Sequence, residues 1–93
     1  MKYSKTKTSF YRRLFVAYLI DGRTNTVPAI MEATGMPRRT AQDTIASLPE
    51  LDIEVEFIGA TKNGYYKIKD WGAIDKGWVE KHLKHVKAVL EYF

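Results

Sequence analysis

Between residues 38 and 46 the chain reads Arg38-Arg39-Thr40-Ala41-Gln42-Asp43-Thr44-Ile45-Ala46, a run dense in side chains able to recognise a polyanion. Placed on a helix with Ala41, Thr44, Ile45 and Leu48 turned inward, the run presents Arg39, Gln42, Asp43 and Ala46 to the outside, flanked by Arg38 and Thr40. These are the side-chain types that read base edges. A guanidinium pairs in bidentate fashion with guanine and a carboxamide with adenine, a threonine meets phosphate or a thymine methyl, and each good base contact is worth about 1–3 kcal/mol of discrimination. Ala46 has almost no side chain and permits close approach. Asp43 is the exception, because a carboxylate among phosphates repels unless it accepts from a cytosine amino group or orients Arg39. The same face also suits plain solvation, in which Arg39 and Asp43 form an i,i+4 pair worth roughly 0.2–0.5 kcal/mol.

The charge distribution supports the first use. Residues 1–49 carry eight Lys and Arg against three acids, whereas residues 50–93 carry seven against eight, so the net charge of +4 resides in the N-terminal half. Such a bias favours a polyanionic partner. Lys5, Lys7, Arg12 and Arg13, with Lys2 before them, are expected to follow a phosphate backbone, and Lys62 and Asn63 are placed for it at a hairpin tip. Lys67 and Lys69 fall on the outer face of the same hairpin. Lys76, Lys81, Lys84 and Lys87 share a helix with acids and read as its solvated side.

Other chemistries find little here. The chain has no Cys, which removes disulfides, thiolate nucleophiles and Cys-ligated zinc. His82 and His85 stand one turn apart but have no evident third ligand, so neither a metal nor another cofactor is expected. No phosphate-cradling glycine loop, nucleophile with a spaced histidine pair, or carboxylate cluster suggests an enzyme. Glu54 and Glu56 are explained as the outer face of a strand. The basic start followed by Leu14 to Ile20 imitates a secretory signal, but Asp21-Gly22-Arg23 interrupts it, and seven apolar residues fall far short of the roughly 20 that span a bilayer. A cytoplasmic protein without a membrane partner is expected.

The elements that position these groups follow from periodicity. Ninety-three residues suffice for one core and hence one domain. Residues 1–8 read as a basic N-terminal arm. Ser9 is the expected N-cap of a helix to about Ile20 that is apolar nearly all round, with Tyr11, Leu14, Phe15 and Tyr18 on one stripe and Val16, Leu19 and Ile20 on another; it therefore needs two partners. Thr26 and Pro28 open a short helix ending at Gly35. Pro37 opens the next, and Pro49 closes it. Ile53, Val55 and Phe57 then alternate with glutamates. Asn63-Gly64 predicts a two-residue turn setting Lys62 opposite Tyr65 and Gly59 opposite Ile68, with Phe57, Tyr66 and Ile68 on one face. From Asp75 onward, Val79, Leu83, Val86, Leu90 and Phe93 predict one continuous amphipathic helix.

The stretch Ile30 to Leu48, with its Thr34-Gly35-Met36-Pro37 turn followed by basic residues, resembles the helix-turn-helix of winged-helix bacterial regulators. Met31 replaces the small residue usual there and Ala41 a larger apolar one, an exchange of volume across one contact. With the preceding helix and the hairpin as wing, the resemblance extends over residues 9–70. It implies a mainly α fold with a β-hairpin wing: a three-helix core plus wing, here with an added C-terminal helix over residues 75–93. It also implies sequence-specific binding of double-stranded DNA, as by a bacterial transcription regulator.

The stripe Val79, Leu83, Val86, Leu90 and Phe93, together with the second face of the first helix, offers more apolar surface than a three-helix core obviously covers. Packing within the chain and homodimerisation both satisfy it. The competing function is a winged-helix protein-interaction module without DNA binding, using Tyr65, Trp71 and Trp78 as anchors.

Overall fold

The computed structural model describes residues 3–92, so Lys2 and Phe93 lie outside the described residues. Helix α1 runs Lys5–Asp21, α2 Val27–Thr34 and α3 Arg38–Ser47; a 3-10 turn Leu48–Leu51 leads into strands β1 (Glu54–Ile58) and β2 (Tyr65–Asp70), and α4 (Lys76–Lys81) and α5 (Leu83–Leu90) follow. The first helix begins a turn earlier than its sequence indicates. Ser4 accepts from the Lys7 N–H at 3.1 Å and caps it, so Lys5 and Lys7 are helical rather than part of a free arm. Ser9, the expected cap, is instead an interior residue whose hydroxyl turns toward α3.

The helix-turn-helix forms as its residues dictate. Thr26 caps α2 through the Ala29 N–H at 3.2 Å. Gly35 ends it at φ +79°, the left-handed conformation that favours glycine. The Thr34 hydroxyl accepts from the Met36 N–H at 3.1 Å, and Met36 is buried. Pro37 occupies the N-cap of α3 with extended backbone. Ala41, Thr44, Ile45 and Leu48 are all buried, as their spacing requires. Pro49 does not end the element abruptly but enters the 3-10 turn, where its missing N–H costs nothing.

One face of α1 supplies Val16, Ala17 and Ile20 to a core shared with Ile30, Met36, Ala41, Ile45, Leu48, Ile53 and Ile68. Met31 packs against that core from a partly buried position. The other face is covered by the chain's own C-terminal segment. Helices α4 and α5 both pack on α1, and the Phe15 and Tyr92 ring centroids lie 5.5 Å apart. Val79 and Val86 are 0% exposed, Val89 is buried, and Leu83 and Leu90 are half-buried. A fully buried aliphatic side chain contributes roughly 1.5–3 kcal/mol, so this docking is a substantial part of the fold. Of the two ways to cover this stripe, packing within the chain is the one seen at Val79 and Val86, which leaves those two residues no surface for a second copy.

The C-terminal segment is also not one helix. His82 adopts φ −110° and ψ 22°, breaking the run between α4 and α5. Its ring stacks on Trp78 at 4.3 Å, with Nδ1 2.9 Å from the Trp78 carbonyl oxygen. At the start of α4, Lys76 reaches Asp21 at 2.6 Å and ties the segment to the end of α1.

The hairpin differs from its expected register. Phe57 pairs with Tyr66, Val55 with Ile68 and Ile58 with Tyr65, so residues 59–64 form the tip instead of Asn63-Gly64 alone. Gly59 takes φ +94°, and a Cβ on Gly64 would collide with the Phe57 ring and the Ala60 carbonyl oxygen. The tip thus folds onto Phe57, and the ladder stops short. The slip amounts to four residues, an even number, and so preserves the two faces. Phe57, Tyr66 and Ile68 remain on the same side. The Tyr66 N–H donates to the Asn25 carbonyl at 2.8 Å, fastening the wing to the α1–α2 link.

Candidate nucleic-acid interface

Arg38, Arg39, Gln42, Asp43 and Ala46 are exposed on α3, and Thr40 is half-buried at its edge. The pattern has a local cause: Ala41, Ile45 and Leu48 are drawn into the core, which turns the intervening positions to solvent. No side chain of α4 or α5 covers this surface enough to remove its exposure, because those helices lie on α1. Arg39 Nε is 3.5 Å from Asp43 Oδ2, with the two side chains 88% and 70% exposed. The ion pair expected from spacing forms, and it remains accessible to solvent.

The cations of α1 divide into three situations. Arg13 is engaged within the fold: its Nε donates to Ser47 Oγ at 2.8 Å and Nη1 to Ser9 Oγ at 2.8 Å, bridging α1 to α3 in a partly buried position. Arg13, one of the cations expected along a phosphate backbone, thus also braces α1 against α3. Lys7 lies elsewhere. Five residues from Arg12, it points roughly 140° round the helix, and its Nζ is 4.9 Å from the Tyr3 ring and 5.4 Å from the Tyr11 ring. Tyr11 in turn meets Trp78 of α4 edge-on at 6.2 Å, so Lys7 belongs to the side of α1 away from α3. Lys5 and Arg12, seven residues apart, share the α3 side.

Ser9, Arg12, Arg13, Thr40, Asp43, Thr44 and Ser47 line a notch of about 240 Å³ between α1 and α3. Ser9 and Ser47 were not among the candidates from sequence. Their signal is the i,i+3,i+4 spacing of Ser9, Arg12 and Arg13 on one helix and the i,i+4,i+7 spacing of Thr40, Thr44 and Ser47 on the other, which has meaning only where the two helices cross.

At the wing, Lys62 and Asn63 are exposed in the tip. Glu56 stands opposite Lys67 in the ladder, so the outer face of the hairpin is balanced in charge rather than cationic. Of the aromatic residues suggested as anchors, Tyr65 and Trp78 are 41% and 38% exposed and Phe57 joins them at 46%, but Trp71 is half-buried against the core. His82 and His85 diverge: the first stacks on Trp78, and the second meets the Tyr11 ring edge-on at 5.8 Å. Among the described residues no group of three or more His, Cys, Asp or Glu is arranged to hold a metal, and no helix is long and apolar enough to cross a membrane.

Three helices, a turn capped by left-handed glycine and a two-stranded wing define the winged helix-turn-helix class. The chain belongs to the winged helix-turn helix family, which matches residues 5–90. It is also similar to a solved structure, a DUF2131 family protein from Shewanella amazonensis SB2B, at 39% identity over 97% of this chain and 96% of that one, with a TM-score of 0.89. No curated protein matches the chain.

Proposed function

We propose that this protein binds double-stranded DNA sequence-specifically, with α3 in the major groove, and acts without catalysis as a bacterial transcription regulator in the cytoplasm. The observation that carries this reading is the uncovered polar face of α3, where Arg38, Arg39 and Gln42 are exposed while the apolar face of the same helix is fully engaged in the core. Arg39 and Gln42 read base edges, Arg38 flanks them, and Asp43 sets the direction of Arg39. Lys5 and Arg12 on one side and Lys62 with Asn63 at the wing tip meet phosphates bordering the groove. Membership of the winged helix-turn helix family supports the docking mode.

The test is selection of bound sequences from a random duplex pool at moderate salt, followed by titration at increasing salt. Recovery of a shared motif is the expected result, with affinity falling about a thousandfold between 50 and 200 mM salt if roughly six phosphates are contacted. Paired motifs about 34 Å apart would show that two copies act together, whereas single motifs would show one reading head. A pool that emerges without enrichment overturns the reading.

The exposed rings of Phe57, Tyr65 and Trp78 favour a second reading, a protein-interaction module anchored by aromatic side chains. Its binding would change little with salt, and it would survive replacement of Arg39 and Gln42 by alanine.

A further inference from the structure

The notch between α1 and α3 flanks the base-reading face. On α3, Thr40 and Ser47 lie roughly 80–100° round the helix from Arg39, on the side toward α1. A helix seated in the major groove has the sugar-phosphate strands along its flanks, so this is where one of them passes. Along α1, Lys5, Ser9 and Arg12 fall at i, i+4 and i+7 and form a single stripe beside it. The notch therefore combines cationic and hydroxyl donors at the position that DNA docking assigns to a phosphate.

We infer that this notch is a phosphate-positioning site that fixes the register of α3 on the duplex, with Arg12 as the contacting cation, Thr40 and Ser9 as hydroxyl donors, and Arg13 as the positioning residue beneath them. The inference rests on the DNA-binding reading above. Arg13 spends two of its five N–H donors on Ser47 and Ser9. Each serine oxygen thereby accepts one hydrogen bond from the cation. Ser47 also donates to the Thr44 carbonyl at 2.7 Å, and Thr44 to the Thr40 carbonyl at 2.7 Å, which locks the α3 wall into one arrangement. Ser9, having accepted from Arg13, retains its own proton for an anion. Asp43 also lines the notch, and its ion pair with Arg39 tempers a charge that would otherwise repel the same phosphate.

A phosphate clamp and a base reader leave different signatures, which makes the assignment testable on the intact chain. Duplexes carrying the selected motif are prepared with one phosphate at a time replaced by a neutral methylphosphonate, and each is titrated with the unaltered protein, Arg12→Ala and Thr40→Val; thermal melts confirm that both variants fold. One substituted position is expected to weaken binding of the unaltered protein and to have little further effect on Arg12→Ala, the coupling that marks a direct pair. Arg12→Ala is also expected to weaken binding equally on every sequence and to lower the slope of log affinity against log salt by about 0.9. Thr40→Val, which keeps shape and removes the hydroxyl, should weaken binding at that same phosphate. An unchanged salt slope, or a loss confined to one base identity, overturns the notch while leaving DNA binding intact. Absence of binding to any duplex by the unaltered protein overturns DNA binding and the notch with it.

Discussion

Arg39 and Asp43 stand one turn apart on α3, Nε to Oδ2 3.5 Å, both open to solvent and both on the face that the core leaves free. A pair so exposed contributes little to stability. Its significance lies in where it holds the guanidinium. Arg39→Ala and Gln42→Ala are each expected to cost about 1–3 kcal/mol on the selected motif and to flatten preference at one base pair, with little loss on unrelated duplex. Comparison of selected and scrambled duplexes at one salt concentration checks this.

Asp43→Asn separates the two consequences of that carboxylate. Removing the charge eliminates repulsion of nearby phosphates, so affinity for all duplexes is expected to rise severalfold, while discrimination at the base read by Arg39 declines as the guanidinium loses its guide. A uniform fall in affinity would contradict both effects.

Gly72 follows the wing at φ +59°, and a Cβ there would collide with the Asp52 backbone of the 3-10 turn. Its N–H also donates to Asp70 Oδ1 at 2.6 Å. Gly72→Ala is expected to destabilise the fold by about 2 kcal/mol, from left-handed strain and the forced backbone shift. Urea denaturation would show a lower midpoint at unchanged slope if only stability is affected.

The Lys76 ammonium is held above its ordinary pKa, first by its hydrogen bond to Asp21 and then by the same carboxylate's charge. A raised lysine pKa gives stability that is complete below the unfolded value and lost as pH rises through the folded one. Thermal melts should therefore show an alkaline decline that is shallower in Lys76→Met, whose melting temperature at neutral pH is slightly lower. Parallel alkaline profiles for the two proteins would contradict the linkage.

Much of this architecture is legible in the sequence. The α2–turn–α3 unit could be read because every local signal agreed: the Thr26 cap, Gly35, Pro37 and the inward spacing of Ala41, Thr44, Ile45 and Leu48. The long-range features were harder. Asn63-Gly64 is a strong local turn signal, but the close approach of Gly64 to Phe57 overrides it, and such an approach is invisible in a linear pattern. The break at His82 was hidden because Val79, Leu83 and Val86 keep helical spacing across it. Likewise, Arg13 and Lys7 look alike by charge. Only the crossing of α1 with α3, and the Tyr11 and Tyr3 rings on its other side, separates a brace from a cation resting on aromatic faces.

The even slip in the hairpin bears on how such a protein can diversify. Because strand sidedness has a period of two, β1 and β2 can yield rungs to the tip in matched steps without inverting which residues line the interior. The reach and outline of the tip are thereby uncoupled from the foundation on which α3 is seated. Substitutions that lengthen or trim the projection can change its outline while α3 keeps its seat on the core.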